Sequence, residues 1–218
     1  MTLASLSVAL RSAPPRALAA CASLAAAFLA LALLVAVGAT RAVDLAVTSA
    51  FQSIASYPID VAVNAHTLVG QLPVTLTASV VVALVAQRRL GGYAWIGPLL
   101  ILATGAIELV FKYVAAHPGP PKELIRAFGN PLGLPSEWKP PYAFPSGHMA
   151  RITFLSITLA ALFPTRAAFG LAAVAIALSL FARVYIGDHW ISDSLGGVAL
   201  GASVAFAAVA WMRATARR

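Results

Sequence analysis

Charge is what this sequence has least of. Only 10% of its 218 residues are charged, and acidic residues number seven against fifteen lysines and arginines. A soluble chain of this length needs polar groups to cover its surface, so the shortage excludes an ordinary water-soluble domain. Its 61% hydrophobic composition and mean hydropathy of +0.88 agree, and the expected fold class is an all-α polytopic membrane protein. A single cysteine, Cys21, excludes an internal disulfide and reads as a small hydrophobe in an apolar run. The sequence offers neither a carboxylate cluster for magnesium nor a His/Cys set for zinc, so no metal or cofactor is expected. Basic runs interleaved with aromatics are absent too, so the net charge of +8 does not point to nucleic acid. There is no internal repeat and no low-complexity tail.

What is present is six apolar stretches. Ala17 to Ala39 is uncharged and long enough to span a bilayer, longer than the roughly 7–15 residues of a signal-peptide core. Pro73 to Ala86 with its upstream residues forms the second, ending at Arg88-Arg89 and a Gly91-Gly92 turn. Trp95 to Ala116 is the third, His148 to Leu162 the fourth, Ala167 to Tyr185 the fifth and Ser194 to Met212 the sixth. Gly196, Gly197, Gly201 and Ser203 suit close helix packing in the last. Between the first two, Asp44 to Phe51 has helical spacing and suits the membrane surface. His66 reads as an interfacial or core histidine. The whole chain, 1–218, reads as one domain, with its core over 95–212 and residues 1–94 contributing the N-terminal helices.

Six spans put both termini on one side. Arg11, Arg16, Arg88, Arg89, Arg166, Arg213, Arg217 and Arg218 all fall there, and every acidic residue falls toward the other. The positive-inside rule makes the arginine side cytoplasmic, which fits a bacterial plasma (inner) membrane with the opposite side periplasmic or extracellular. Lys112, Lys122, Arg126, Lys139, Arg151 and Arg183 lie on that outer side, against the rule. Binding an anion would give them a reason to be there.

Three polar clusters share that side. Lys112 sits four residues after Glu108, on the same helix face, and precedes His117-Pro118-Gly119-Pro120. Pro145-Ser146 reads as a helix start, whose unpaired N–H groups bind phosphate oxygens. Gly147 permits close approach of the backbone, and His148 in the first turn can donate a proton to a leaving oxygen. Arg183 precedes a turn at Gly187. His189 and Asp193, four residues apart, share a face if this segment starts the sixth helix. An Asp on one imidazole nitrogen exposes the other as nucleophile or base. Lys112 and Arg183 can neutralise the equatorial oxygens of a phosphoryl group. The loop between His117 and Phe144, about 30 residues long and rich in Pro and Gly, reads as functional. Its Trp138, Tyr142 and Phe144 suit the interface, and Lys122, Arg126 and Lys139 suit recognition of a headgroup.

Pro-Ser-Gly-His followed by Arg-x5-His-x3-Asp resembles the second and third signatures of the type 2 phosphatidate phosphatase superfamily, the integral-membrane lipid phosphate phosphatases. The resemblance covers roughly Trp95 to Met212 and includes the six-span layout. It implies that His189 is the nucleophile of a phosphohistidine mechanism, that Asp193 orients it and that His148 protonates the leaving group. It implies that Lys112, Ser146, Gly147 and Arg183 hold the phosphoryl oxygens, without a metal. The substrate would be a membrane lipid phosphate: a polyprenyl diphosphate, phosphatidylglycerophosphate, phosphatidate or a polyprenyl-linked sugar phosphate. One departure stands out. The family's first signature is Lys, six residues, then Arg-Pro, and here Lys112 is followed at that spacing by Gly119-Pro120. Arg151, His117 and Arg126 are the possible substitutes for the missing arginine, Arg151 first because it lies one turn after His148. A lipid phosphotransferase with the same pocket, or a catalytically weakened lipid-phosphate binder, is the alternative.

Overall fold

A computed structural model describes residues 15–128 and 141–216 of the chain. Arg11, Trp138, Lys139, Arg217 and Arg218 lie outside the described residues. In chain order the helices are α1 Pro15–Ala36, α2 Arg41–Gln52, α3 Tyr57–Thr67, α4 Leu72–Leu90, α5 Ile96–Leu99, α6 Ile101–Ala115, α7 Gly147–Leu162, α8 Arg166–Tyr185 and α9 Ile191–Thr215. Short 3-10 turns follow α3, at Leu68–Gly70, and interrupt the loop at Lys122–Leu124. Among the described residues there is no strand.

The helix ends follow local chemistry. Pro58 and Pro73 sit in the first turns of α3 and α4, where a missing N–H costs nothing. Ser146 and Thr165 cap α7 and α8, their hydroxyl oxygens accepting the Met149 and Ala168 N–H groups. Gly91, with φ +67°, closes α4 just after Arg88 and Arg89.

Four segments are long and apolar enough to cross a membrane: Pro15–Ala36, Ile96–Ala115, Arg166–Tyr185 and Ile191–Thr215. A fifth is counted if Tyr57–Gly70 and Leu72–Leu90, bent by 51° at their junction, act as one. The apolar α7, at 16 residues, is shorter than these. The expected second span is therefore one limb of a bent pair. The large apolar side chains turned outward, such as Leu33 on α1 at 66% exposure and Leu171 on α8 at 71%, suit lipid rather than water.

The central element is α9. It packs along α7 on one side and α1 on another. Its small residues set the first contact, since a Cβ added to Gly201 would strike the Ala150 carbonyl and one on Gly197 the Ser146 carbonyl. Around it, Phe28, Ala32 and Val35 of α1 pack with Phe144, Ala150 and Leu200 toward the polar end. Val82, Ala86, Leu162, Val209 and Met212 fill the opposite end. There Arg89 lies over the Phe163 ring, 4.3 Å from its centroid, and the Trp211 indole N–H donates to the Tyr93 carbonyl at 2.9 Å.

Helix α2 has the helical spacing expected of Asp44 to Phe51, and burial tells its two faces apart. Asp44 and Thr48 are buried, whereas Val43 and Leu45 are exposed at 59% and 43%. Its polar face is turned into the protein and its apolar face outward, the arrangement favoured where the surroundings are lipid. His66 on α3 faces α8, its Nε2 2.9 Å from the Ser179 hydroxyl.

Candidate active site

The start of α7 is built around Lys112. This lysine is buried, and its ammonium donates to the carbonyls of Tyr142, Ala143 and Pro145, each at 3.2 Å. These bonds hold the segment leading into Ser146. Ser146 is fully buried, and its N–H donates to the Asp193 carbonyl at 2.9 Å, which fastens the start of α7 to the start of α9. Glu108 lies one turn before Lys112 on α6, with its Oε1 3.6 Å from the Lys112 Nζ, as their spacing predicts. A Cβ on Gly147 would run into the Glu108 carboxylate, so only glycine admits this approach to the first turn of α7.

The second half is the turn between α8 and α9. Gly187, with φ +72°, turns the chain, and the His189 N–H reaches back to the Arg183 carbonyl at 3.3 Å. A Cβ there would strike the Leu124 carbonyl as well, so the position requires glycine for two reasons. Helix α9 begins at Ile191, two residues beyond His189. His189 and Asp193 therefore meet across the helix start rather than along one helical face. The Asp193 Oδ2 accepts the Trp190 N–H at 2.9 Å and stands 3.5 Å from the His189 Nδ1. That second distance is longer than a formed N–H···O bond. Asp193's other oxygen, Oδ1, is 2.8 Å from the Nδ1 of His117. One fully buried carboxylate thus faces two imidazoles, and with Nδ1 turned to it each ring leaves Nε2 for other partners.

Arg183 pairs with Asp188 at 2.8 Å through Nη2, while its Nε is buried with no hydrogen-bond partner among the described residues. Burial pushes the His189 imidazole below its ordinary value; Asp193 opposes this, and the charges of Arg183 and Lys112 add to it. His189 is accordingly neutral at physiological pH, the form in which a ring nitrogen can attack.

The three possible substitutes for the missing arginine have different surroundings. Arg151 is buried, with Nη2 3.0 Å from the Gly70 carbonyl and 3.4 Å from the His148 Nδ1, and Nη1 3.6 Å from Glu108. His117 sits on Asp193. Arg126 is bidentate on Asp60, with Nε to Oδ1 at 2.8 Å and Nη2 to Oδ2 at 2.6 Å. The folded chain thus brings Lys112, Ser146, Gly147, His148, Arg151, Arg183, His189, Asp193 and His117 into one connected network, and it engages the Arg126 guanidinium elsewhere.

Sequence reasoning missed Asp44. This buried carboxylate on α2 accepts the Ser192 N–H and hydroxyl, both at 2.9 Å, and so braces the first turn of α9 beside Asp193. An acidic residue among apolar ones was the available signal. Asp188, the partner of Arg183, was also passed over.

No curated protein sequence matches the chain. A crystal structure of the first transmembrane PAP2 type phosphatidylglycerolphosphate phosphatase from Bacillus subtilis has the same fold. It matches with a TM-score of 0.69 at 21% identity, over 86% of this chain and 93% of that one. The family model of the PAP2 superfamily covers residues 93–217, which is more than half of the chain and includes every one of the three polar clusters, and the chain belongs to that superfamily.

Proposed function

We propose that this chain is a lipid phosphate phosphatase acting through His189 on the outer side of a bacterial plasma membrane. The observation that carries the reading is the convergence of three distant segments on one buried set of groups: a neutral histidine beside a carboxylate, a second histidine in a helix's first turn, and three cations. The unpartnered Nε of Arg183 supports it, because a buried guanidinium donor without an acceptor suits an incoming phosphoryl oxygen.

In the proposed cycle the Nε2 of His189 attacks phosphorus and the P–O bond to the lipid leaving group breaks. His148, as imidazolium, gives its proton to the leaving oxygen and becomes neutral. Water then attacks phosphorus, the P–N bond breaks, inorganic phosphate leaves, and His148 takes a proton from the water. Asp193 stabilises the positive charge on the phosphorylated His189 ring. Lys112, Arg183, Ser146 and Gly147 hold the phosphoryl oxygens, and Arg151 supplies the cation that the first signature lacks. Protonating His148 makes its Nδ1 a donor and breaks its contact with Arg151, which turns that guanidinium toward the phosphoryl group.

In this reading α7 and the bent pair are counted to make six spans, which leaves both termini on one side; the arginine distribution makes that side cytoplasmic and sets the site at the outer headgroup plane. A lipid substrate then enters sideways between helices, and residues 1–94 and 95–212 act as one unit. Candidate substrates are polyprenyl diphosphates, phosphatidylglycerophosphate and phosphatidate.

The test is phosphate release by detergent-purified protein in EDTA across those lipids, with His189→Ala as control. Metal-independent release that falls at least about 10³-fold in the variant is expected. A phosphorylated acceptor in place of inorganic phosphate would make the protein a phosphotransferase. No release from any of these lipids would leave a lipid-phosphate binder.

A further inference from the structure

We infer that Glu108 is the anion the substrate must displace: its carboxylate occupies the seat of the phosphoryl group and so sets how tightly the site takes phosphate. The inference rests on the phosphatase reading of the same site.

Three observations meet at this side chain. First, it lies against Gly147, the opening residue of α7, where unpaired backbone N–H groups and the helix dipole favour a negative group. Second, it sits between two of the cations expected to neutralise phosphoryl oxygens, 3.6 Å from the Lys112 Nζ through Oε1 and 3.6 Å from the Arg151 Nη1 through Oε2. Third, water reaches it: its side chain is 17% exposed where that of Asp193 is fully buried.

Charge balance gives the arrangement a reason. Among the described residues, Lys112, Arg151 and Arg183 face Glu108, Asp188 and Asp193, so three cations meet three carboxylates there. Three uncompensated cations near the membrane would be costly, and a carboxylate in the seat removes part of that cost. A phosphate carries more charge and more acceptor oxygens than a carboxylate, so it takes over both cations and the helix start as Glu108 swings aside. Weaker anions do not. Glu108 thereby selects for phosphate esters of high charge over carboxylated or zwitterionic lipids.

The test uses inorganic phosphate and orthovanadate as probes, titrated calorimetrically into purified protein in detergent. Glu108→Gln removes the competing charge, and it is expected to tighten both by about tenfold, the factor that corresponds to 1.4 kcal/mol. Glu108→Asp keeps the charge but is one methylene short of Gly147. It is expected to bind a few-fold tighter than wild type, which separates occupation of the seat from simple charge compensation. The melting temperature of each variant is recorded alongside, and the Asp variant carries the test if the Gln variant does not fold. Equal or weaker binding in a folded variant overturns the inference, as does the absence of measurable binding by all three proteins. Tightening without turnover of any lipid phosphate would support the role of Glu108 and sink the phosphatase reading. Turnover without tightening would do the reverse.

Discussion

Two of the arginine–carboxylate pairs at the polar end of the bundle are built differently from each other. Arg126 grips Asp60 with two bonds at 2.8 and 2.6 Å, and the Tyr185 hydroxyl donates to the same carboxylate at 2.8 Å. Asn64 completes the latch, donating to the Arg126 carbonyl at 3.2 Å and accepting the Phe128 N–H at 2.7 Å. Arg151 meets Glu108 only at 3.6 Å and shares it with Lys112. The first pair has bidentate geometry, which resists exchange of partners; the second stands at 3.6 Å, which permits it. The types of residue are the same, so type alone does not tell a latch from a ligand-binding cation. Distance and the number of shared partners do.

The largest expected effect breaks the looser pair. Arg151→Ala should lower kcat/KM by about 10²–10³-fold, the usual loss when one preorganised donor to a transition-state anion is removed. Its melting temperature should fall too, because a buried guanidinium with contacts to Gly70, His148 and Glu108 is lost, so turnover is compared per folded protein. Arg151→Lys should recover only part of the activity, because an ammonium does not reproduce the fork that reaches Gly70 and Glu108. Normal turnover in Arg151→Ala would remove Arg151 from the phosphate site.

The complementary variant breaks the latch. Arg126→Ala should cost about 1–2 kcal/mol of stability, at the low end for charged hydrogen bonds because the Arg126 side chain is 33% exposed. Activity should fall less than about tenfold, within what displacement of a positioning loop costs. The segment from Lys122 to Phe128 is also held by Gln52, whose amide donates to the Leu124 and Tyr185 carbonyls at 2.7 and 2.9 Å, so it should loosen rather than detach. Thermal melting and kcat/KM measured on both arginine variants test the contrast directly. If Arg126→Ala proved the more damaging to turnover at unchanged stability, the assignment of the two pairs would be reversed.

The sequence disclosed which residues meet at the polar end more fully than the architecture around them. Lys112, Pro145 to His148, Arg183, His189 and Asp193 were legible because each signature is local, and the Glu108–Lys112 pair because four residues make one helical turn. The commitment of Arg126 to Asp60 was not legible. The two are 66 positions apart and meet only when the loop folds against α3 and α8. Asp44 was hidden for the same reason, since its partner Ser192 is 148 positions away. The start of α9 was misjudged because Trp190 has no capping side chain of the usual kind. The carboxylate of Asp193, reaching back to the Trp190 N–H, starts the helix after His189 instead of including it. Which face of α2 meets protein was not legible, because amphipathic spacing says that a helix has two faces but not which of them is buried.

The smallest expected effect is a displacement of a pH profile, and it sharpens the contrast by isolating His189 from the cations. His189 must be neutral to attack, and burial, its main perturbation, disfavours the charged ring. Asp193 favours the imidazolium and Arg183 and Lys112 oppose it, so the folded protein holds this group below the ordinary value of 6.5. Lowering a histidine pKa extends its neutral form toward acid. The acid limb of kcat/KM should therefore fall below pH 6.5 rather than above it. Measuring the profile in both wild type and Glu108→Gln controls for any titration of Glu108, and a limb common to the two belongs to a group other than that carboxylate. Neutralising the nearby cation by Arg183→Gln removes one of the charges that depress His189, so in that slower enzyme the limb should move upward. A limb above pH 6.5 in wild type, or one that moves downward in Arg183→Gln, would mean that the titrating group is not a buried histidine next to Arg183. His117 shares Asp193 with His189, so a His117→Asn variant, which leaves the His189 ring in place, should keep the acid limb below pH 6.5, and a limb lost in that variant would show that His189 is not the group observed.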